Sequence, residues 1–325
     1  MNRFMDKHPK TQRLLRSLTG DSILFNPSNE LWSQKRKHLS AAFYKDKLNP
    51  MLEMIIKTTN LYIRKLLQEQ SGPGKTMDIL KFGGDLINST ILLCVFGVKI
   101  ENIAKLKYME GGKEELLDPG MFLKKIFTRQ IMRGSRFFRI LFDWFDLSVV
   151  GEVERYTKTN GETFRGFIQG MIAQRRLEMT DGQKRADFLS MMLEDELFQG
   201  QEELIVDECI TFMLAATQTS TNLVTNAMYF LSKHTEVREK LRKEMRRHVG
   251  EGSLQGLSDD KWIEILLEKE LVTECNYLSY CVTETLRLCP PVRLSSRLIA
   301  TDKITLSNGF TILEGQDFIV NMFYL

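Results

Sequence analysis

Residues Glu202 to Leu231 read as one helix of about 30 residues, roughly 45 Å long, and it is the most apolar helical stretch of the chain. A helix of that length and character needs apolar neighbours along most of its surface, and helices packed around it are the simplest way to supply them. The flanking sequence has the same period. From 30 to 69, Trp32, Leu39 and Phe43, then Leu52, Ile55, Ile56, Leu61, Ile63, Leu66 and Leu67 recur at helical spacing. Ser71-Gly72-Pro73-Gly74 is a break, and a largely apolar helix from Asp78 to Phe96 closes on Gly97.

Lys107 to Gly120, with Gly111-Gly112 and Asp118-Pro119-Gly120, reads as a loop. Helices are predicted over roughly 151–178 and 186–198, then Glu236 to Val249, 261–268 and Tyr277 to Leu288, where Pro290-Pro291 ends the pattern. The period then changes. Ile304 to Leu306 and Phe310 to Leu313 flank the turn Ser307-Asn308-Gly309, which predicts a hairpin, with a further strand from Asp317 to Met322. The expectation is a mainly α protein, a helical body with a small β-sheet near the C-terminus, in a single domain over 1–325.

A net charge of +3 is too mild to argue for nucleic acid as a partner. No apolar run opens the chain, so no signal peptide is expected, and Leu86 to Val98 is too short to span a bilayer. No transmembrane segment is therefore predicted. The five cysteines (Cys94, Cys209, Cys275, Cys281 and Cys289) are odd in number and lack metal-ligand spacing, which favours reduced thiols and an intracellular setting. No metal ligand set is predicted.

Three constellations carry chemical content. Glu284 and Arg287 share a helical face at i and i+3. Such a pair is ordinarily solvated and worth a few tenths of a kcal/mol, about 0.2–0.5. The apolar flanks Val282, Leu286 and Leu288 favour an internal pair instead, for which Arg293 or Arg297 is a further partner. Trp32 and Arg36 lie one turn apart, where an indole N–H and a guanidinium both suit a carboxylate; a core Trp beside an exposed Arg is the plainer alternative. Ala215-Ala216-Thr217-Gln218-Thr219 puts two small residues and a hydroxyl in the middle of the long helix, a pattern that close helix packing alone would also explain.

Glu284-Thr285-Leu286-Arg287-Leu288-Cys289-Pro290-Pro291 resembles the E-x-x-R helix of cytochromes P450, and Trp32 to Arg36 resembles their W-x-x-x-R helix. Phe212 to Ser220 is similar to their oxygen-binding helix, with Ala216 in place of Gly and Gln218 in place of the acid. Asp187-Phe188-Leu189 and Phe96-Gly97 add softer matches to the family, and Phe142 to Ser148 to its eukaryotic microsomal members. The resemblance implies haem b with its iron as cofactor. Trp32, Arg36 and Arg297 would bind the propionates, and Ala215 and Ala216 would lie against the macrocycle. Thr219 and Gln218 would stand at the catalytic position, and Glu284 with Arg287 would be structural.

By the same resemblance the activity is a monooxygenase inserting one oxygen atom from O2 into an apolar small-molecule substrate. Electrons would come from an NADPH-linked reductase, at the endoplasmic reticulum membrane. The basic aromatic stretch Lys124 to Arg139 is a solvated face or a membrane-surface contact. The sequence ends at Leu325, before the family's Phe-x-x-Gly-x-Arg-x-Cys-x-Gly loop, and none of the five cysteines has that context. The expectation is a fragment truncated at both ends, without the axial thiolate and inactive by itself. The alternative is a non-catalytic helical binding protein, or pseudo-enzyme, on the same scaffold.

Overall fold

A computed structural model describes residues 5–7, 15–41, 44–69, 76–134, 152–183, 185–249, 258–268, 275–299 and 303–323. Ser71 to Gly74, Arg136 to Arg139, Phe142 to Ser148 and 250–257 lie outside the described residues. The fold is mainly α, as the periodicity implied. In chain order it begins with β1 (Met5–Lys7), α1 (Glu30–Ala41), α2 (Lys45–Glu69) and α3 (Ile79–Phe96). Then come β2 (Leu106–Glu110), β3 (Lys113–Leu117), α4 (Pro119–Gly134), α5 (Glu152–Thr180) and α6 (Phe188–Glu194). The long α7 (Glu202–Lys233) is followed by α8 (Thr235–Val249), α9 (Asp259–Ile263) and α10 (Asn276–Leu288). The last elements are β4 (Leu294–Ile299), β5 (Lys303–Thr305), β6 (Thr311–Leu313) and β7 (Asp317–Asn321).

Short polar side chains fix several helix starts. Asn29 accepts from the Trp32 amide at 2.8 Å, Asp78 from Lys81 at 2.9 Å, and Asp118 from Met121 at 3.0 Å. Each satisfies an amide that has no partner inside its own helix.

The loop expected over 107–120 is instead a β-hairpin, β2 against β3, with Leu106 opposite Leu117 and Glu110 opposite Lys113. Its turn is Gly111-Gly112 with φ of 55° and 75°, the two-residue connection with positive φ that matches strand twist. Only Tyr108 and Leu117 are buried in these strands, so the sequence shows little alternation. The Gly-Gly pair was the available signal. The hairpin β5–β6 lies where the period predicts it, turning on Gly309. β4 went unpredicted, yet it is the middle strand of a three-stranded sheet ordered β1-β4-β7.

The chain divides into two compact units. One comprises Met1–Phe43, Val95–Ala215 and Leu294–Val320; the other comprises Tyr44–Cys94, Ala216–Arg293 and Asn321–Leu325. In the first, aromatic rings join β2, α4 and α5. Tyr108 meets Phe122 edge-on at 5.3 Å, and Phe122 stacks on Phe164 at 5.7 Å. Contacts of this kind contribute about 0.5–1.5 kcal/mol each beyond burial. Fully buried Arg175 donates to Asp187, to Ser190 Oγ and to the Phe96 carbonyl, closing the end of α3 with a guanidinium. In the second unit, Gly83 of α3 lets Thr225 of α7 approach, since an added β-carbon would lie 2.7 Å from its methyl. There too Glu244 of α8 accepts from the Tyr277 and Leu278 amides at 2.8 and 2.9 Å, capping α10.

By length and composition α3 is apolar enough to cross a membrane, which the shorter 86–98 stretch is not. It is also 44% buried within the protein.

Candidate functional site

The site is built in the first unit, around the turn that follows a helical segment at 15–19. Two adjacent carboxylates at the start of α7 hold that turn. Asp207 accepts from the Asp21 amide at 2.8 Å and from Arg165 at 2.7 Å. Glu208 accepts from the Ile23 amide at 2.9 Å and from Lys35 Nζ at 3.1 Å. Lys35 of α1, fully buried, also donates to the Asp21 carbonyl at 2.5 Å. Burial raises the pKa of both carboxyls, against the opposing pull of Arg165 on Asp207 and of Lys35 on Glu208.

So fixed, the turn presents the Ile23 carbonyl to two donors, Trp32 Nε1 and Lys7 Nζ, each at 2.8 Å. Lys7 also donates to the Asn26 carbonyl at 2.5 Å and stands 4.4 Å over the Trp32 ring. The Arg36 guanidinium lies 5.6 Å from the same ring centroid. In the β1–β4 register Lys7 faces Arg297. Lys7 and Arg36 thus meet at one indole, with Arg297 across the strand pair from Lys7. Lys7 is held down to about 8, first by burial and then by the charges of Arg297 and Arg36, with Asp6 pulling the other way.

Of the residues expected to bind propionates, Arg36 and Arg297 both lie close enough to act on the charge of Lys7. Lys7 was missed because a Met-Asp-Lys tripeptide has no motif; only the strand pairing brings it to Arg297. Trp32 departs from the expected role. Its indole N–H donates to Ile23, so in this structure the ring, rather than a free donor, backs the cations.

Ala215 is exposed, Ala216 and Thr219 are half-buried, and Gln218 donates to Asn222 Oδ1 at 2.9 Å, one turn further along α7. Glu284 and Arg287 form a two-pronged ion pair, with Nε to Oε2 at 2.7 Å and the second contact at 2.5 Å. Both side chains are more than half exposed, so the expected internal pair is instead a solvent-facing one. Leu286 and Leu288, the flanks that suggested burial, are themselves 38% exposed. The mutual hydrogen bonds lower the carboxyl pKa and raise that of the guanidinium.

Trp32 aside, the residues present suit a carboxylate-bearing group such as a haem edge: cations held close together, one of them half-buried, are relieved by an anion. The thiols suit an iron-ligating role less well. Burial raises the pKa of Cys209 well above its ordinary value, and burial with nearby Glu244 raises that of Cys281, so both favour the neutral thiol.

A family model described as "Cytochrome P450" matches residues 2–325. The chain is 25% identical over 323 residues to Cytochrome P450 4F4 of Rattus norvegicus, covering 95% of this chain and 57% of that protein. It is 25% identical over 337 residues to Cytochrome P450 734A2 of Oryza sativa subsp. japonica, covering 97% and 55%. Leukotriene-B4 omega-hydroxylase 3 of Mus musculus is 24% identical over 325 residues, covering 95% and 57%. The chain spans about half the length of the curated relatives it matches. Members of the matched family depend on haem iron, which makes haem the cofactor of the full-length protein. With the match running through both units and along almost the whole sequence, the chain belongs to the cytochrome P450 family.

Proposed function

We propose that the full-length protein is a haem-thiolate monooxygenase inserting one oxygen atom from O2 into an apolar organic substrate, and that both units belong to one domain. When bound, haem supplies the dioxygen chemistry; the polypeptide supplies binding, orientation and electrostatics. The observation that carries the reading is Lys7 and Arg36 at the Trp32 ring with Arg297 opposite Lys7, a patch whose lysine is already depressed to about 8. Arg36 and Arg297 would bind the propionates, and Lys7 would neutralise the remaining charge. Trp32 joins them as a donor once its N–H leaves the Ile23 carbonyl.

Along α7, Ala215 and Ala216 would keep the surface low against a flat group, and Thr219 would supply a hydroxyl beside it. Gln218 orients hydrogen bonds but does not relay a proton as a carboxyl would. In the full-length protein Glu284 and Arg287 would be structural. Electrons come from an NADPH-linked reductase at the endoplasmic reticulum membrane. On α4, exposed Met121, Ile131 and Met132 lie among Lys124 and Arg129, which supports contact with an anionic membrane surface.

Residues 1–325 carry no cysteine in the ligand-loop context, and the raised thiols of Cys209 and Cys281 do not replace one. By this reading residues 1–325 alone bind the propionate edge and do not turn over. The second reading, a non-catalytic binding protein on the same scaffold, draws on those thiols and on Gln218, which is tied to Asn222. Haem titration of the chain, then reduction under carbon monoxide, separates the two. Uptake that weakens in Arg36→Ala and Arg297→Ala, without a thiolate-type Soret band, is the expected result; no uptake at all supports the second reading.

A further inference from the structure

A cavity of about 180 Å³ opens between β2, α4 and α5, within the first unit and sharing no residue with the cationic patch. Its walls are fixed before any ligand arrives. The Asn160 side chain accepts from the Met109 amide at 2.9 Å and donates to the Met109 carbonyl at 2.8 Å, binding β2 to α5 as a neighbouring strand would. Tyr108 is buried edge-on against Phe122, and Ile126 is buried beside it.

The lining is mostly apolar by area, and its charged groups are Glu110 and Arg129. Arg129 pairs with Glu110 and hydrogen-bonds the Tyr108 hydroxyl, two acceptors for a group with five donors. A dry apolar cavity of about 150 Å³ is enough to hold one benzene ring, so this one takes a single ring with a small substituent. The Glu110–Arg129 pair selects the substituent. A hydroxyl both accepts from the guanidinium and donates to the carboxylate, whereas an anionic head would meet the like charge of Glu110.

We propose that this cavity is a binding site for a neutral, single-ring phenol. The inference is independent of the haem reading, since no group of that site contributes to it.

The test is methyl NMR of the chain labelled at its 16 methionines, titrated with phenol and, separately, with benzoate. Phenol should move the Met109 methyl saturably, and benzoate should bind at least about tenfold more weakly. Tyr156→Trp, which fills the half-exposed side of the cavity, should abolish the shift while circular dichroism stays unchanged. Glu110→Gln, at the exposed rim, should remove the discrimination, so that benzoate binds about as well as phenol. An unmoved Met109 signal, equal binding of the two probes to the unaltered chain, or discrimination that survives Glu110→Gln would each overturn the proposal. Should Tyr156→Trp fail to fold, the Glu110→Gln comparison decides it alone.

Discussion

The Asp207 carboxylate stands where a β-carbon on Gly20 would have to go, 2.1 Å from that position. Gly20 also has a φ of 52°, so two independent constraints exclude a side chain there. The carboxylate is held in place by the Asp21 amide and by Arg165, and the turn it secures presents the Ile23 carbonyl to Trp32 and Lys7.

Gly20→Ala should accordingly destabilise the chain by about 2–4 kcal/mol, through left-handed strain together with displacement of Asp207. Urea denaturation measures it, and a loss below 1 kcal/mol would mean the turn readily adjusts. Trp32 fluorescence should change along with it, since Ile23 is its partner.

Lys35 and Glu208 form an ion pair with both side chains fully buried. Removing one partner leaves a buried charge uncompensated, so Lys35→Met or Glu208→Leu alone should cost about 3–5 kcal/mol. The double substitution should cost less than the sum of the two. A double-mutant cycle reads the difference, and strict additivity would refute coupling.

Lys7 titrates near 8 in the folded chain against an ordinary lysine value of 10.5. Below pH 8 both states hold the proton, and the charged form disfavours folding. Between about 8 and 10.5 the unfolded state binds more protons, so this contribution to stability rises with pH. Denaturation midpoints from pH 7 to 10 should show that rise, and Lys7→Met should remove it. Haem, if its propionates sit at the patch, should shift the rise to higher pH.

Glu284 and Arg287 face solvent, so Glu284→Gln should leave the denaturation midpoint of this chain unchanged. A clear drop would show that the pair has buried partners in solution.

Periodicity and punctuation alone made much of the fold legible. α2, α3, α7 and α8 follow from apolar spacing and the breaks between helices; the stop of α10 follows from Pro290-Pro291, and β5–β6 from the turn at Gly309. Arg36 and Arg297 could also be singled out, because each sits in a recognisable local string. The hairpin at Gly111-Gly112 was hidden because its strands bury few side chains, leaving the period too faint to register.

Tertiary structure decided the rest, and the reason is range. The Asp21 amide and the Asp207 carboxylate are 186 residues apart, and Lys7 meets Arg297 only through strand pairing. Local spacing holds no record of such partners, so Lys7 and the occupied indole N–H of Trp32 could not be read from it. The outward face of Glu284 and Arg287 was likewise beyond it, since burial depends on what packs against a helix and not only on the helix's own residues. Composition and period determined which segments coil and where they stop; hydrogen bonds between distant segments determined which charges meet.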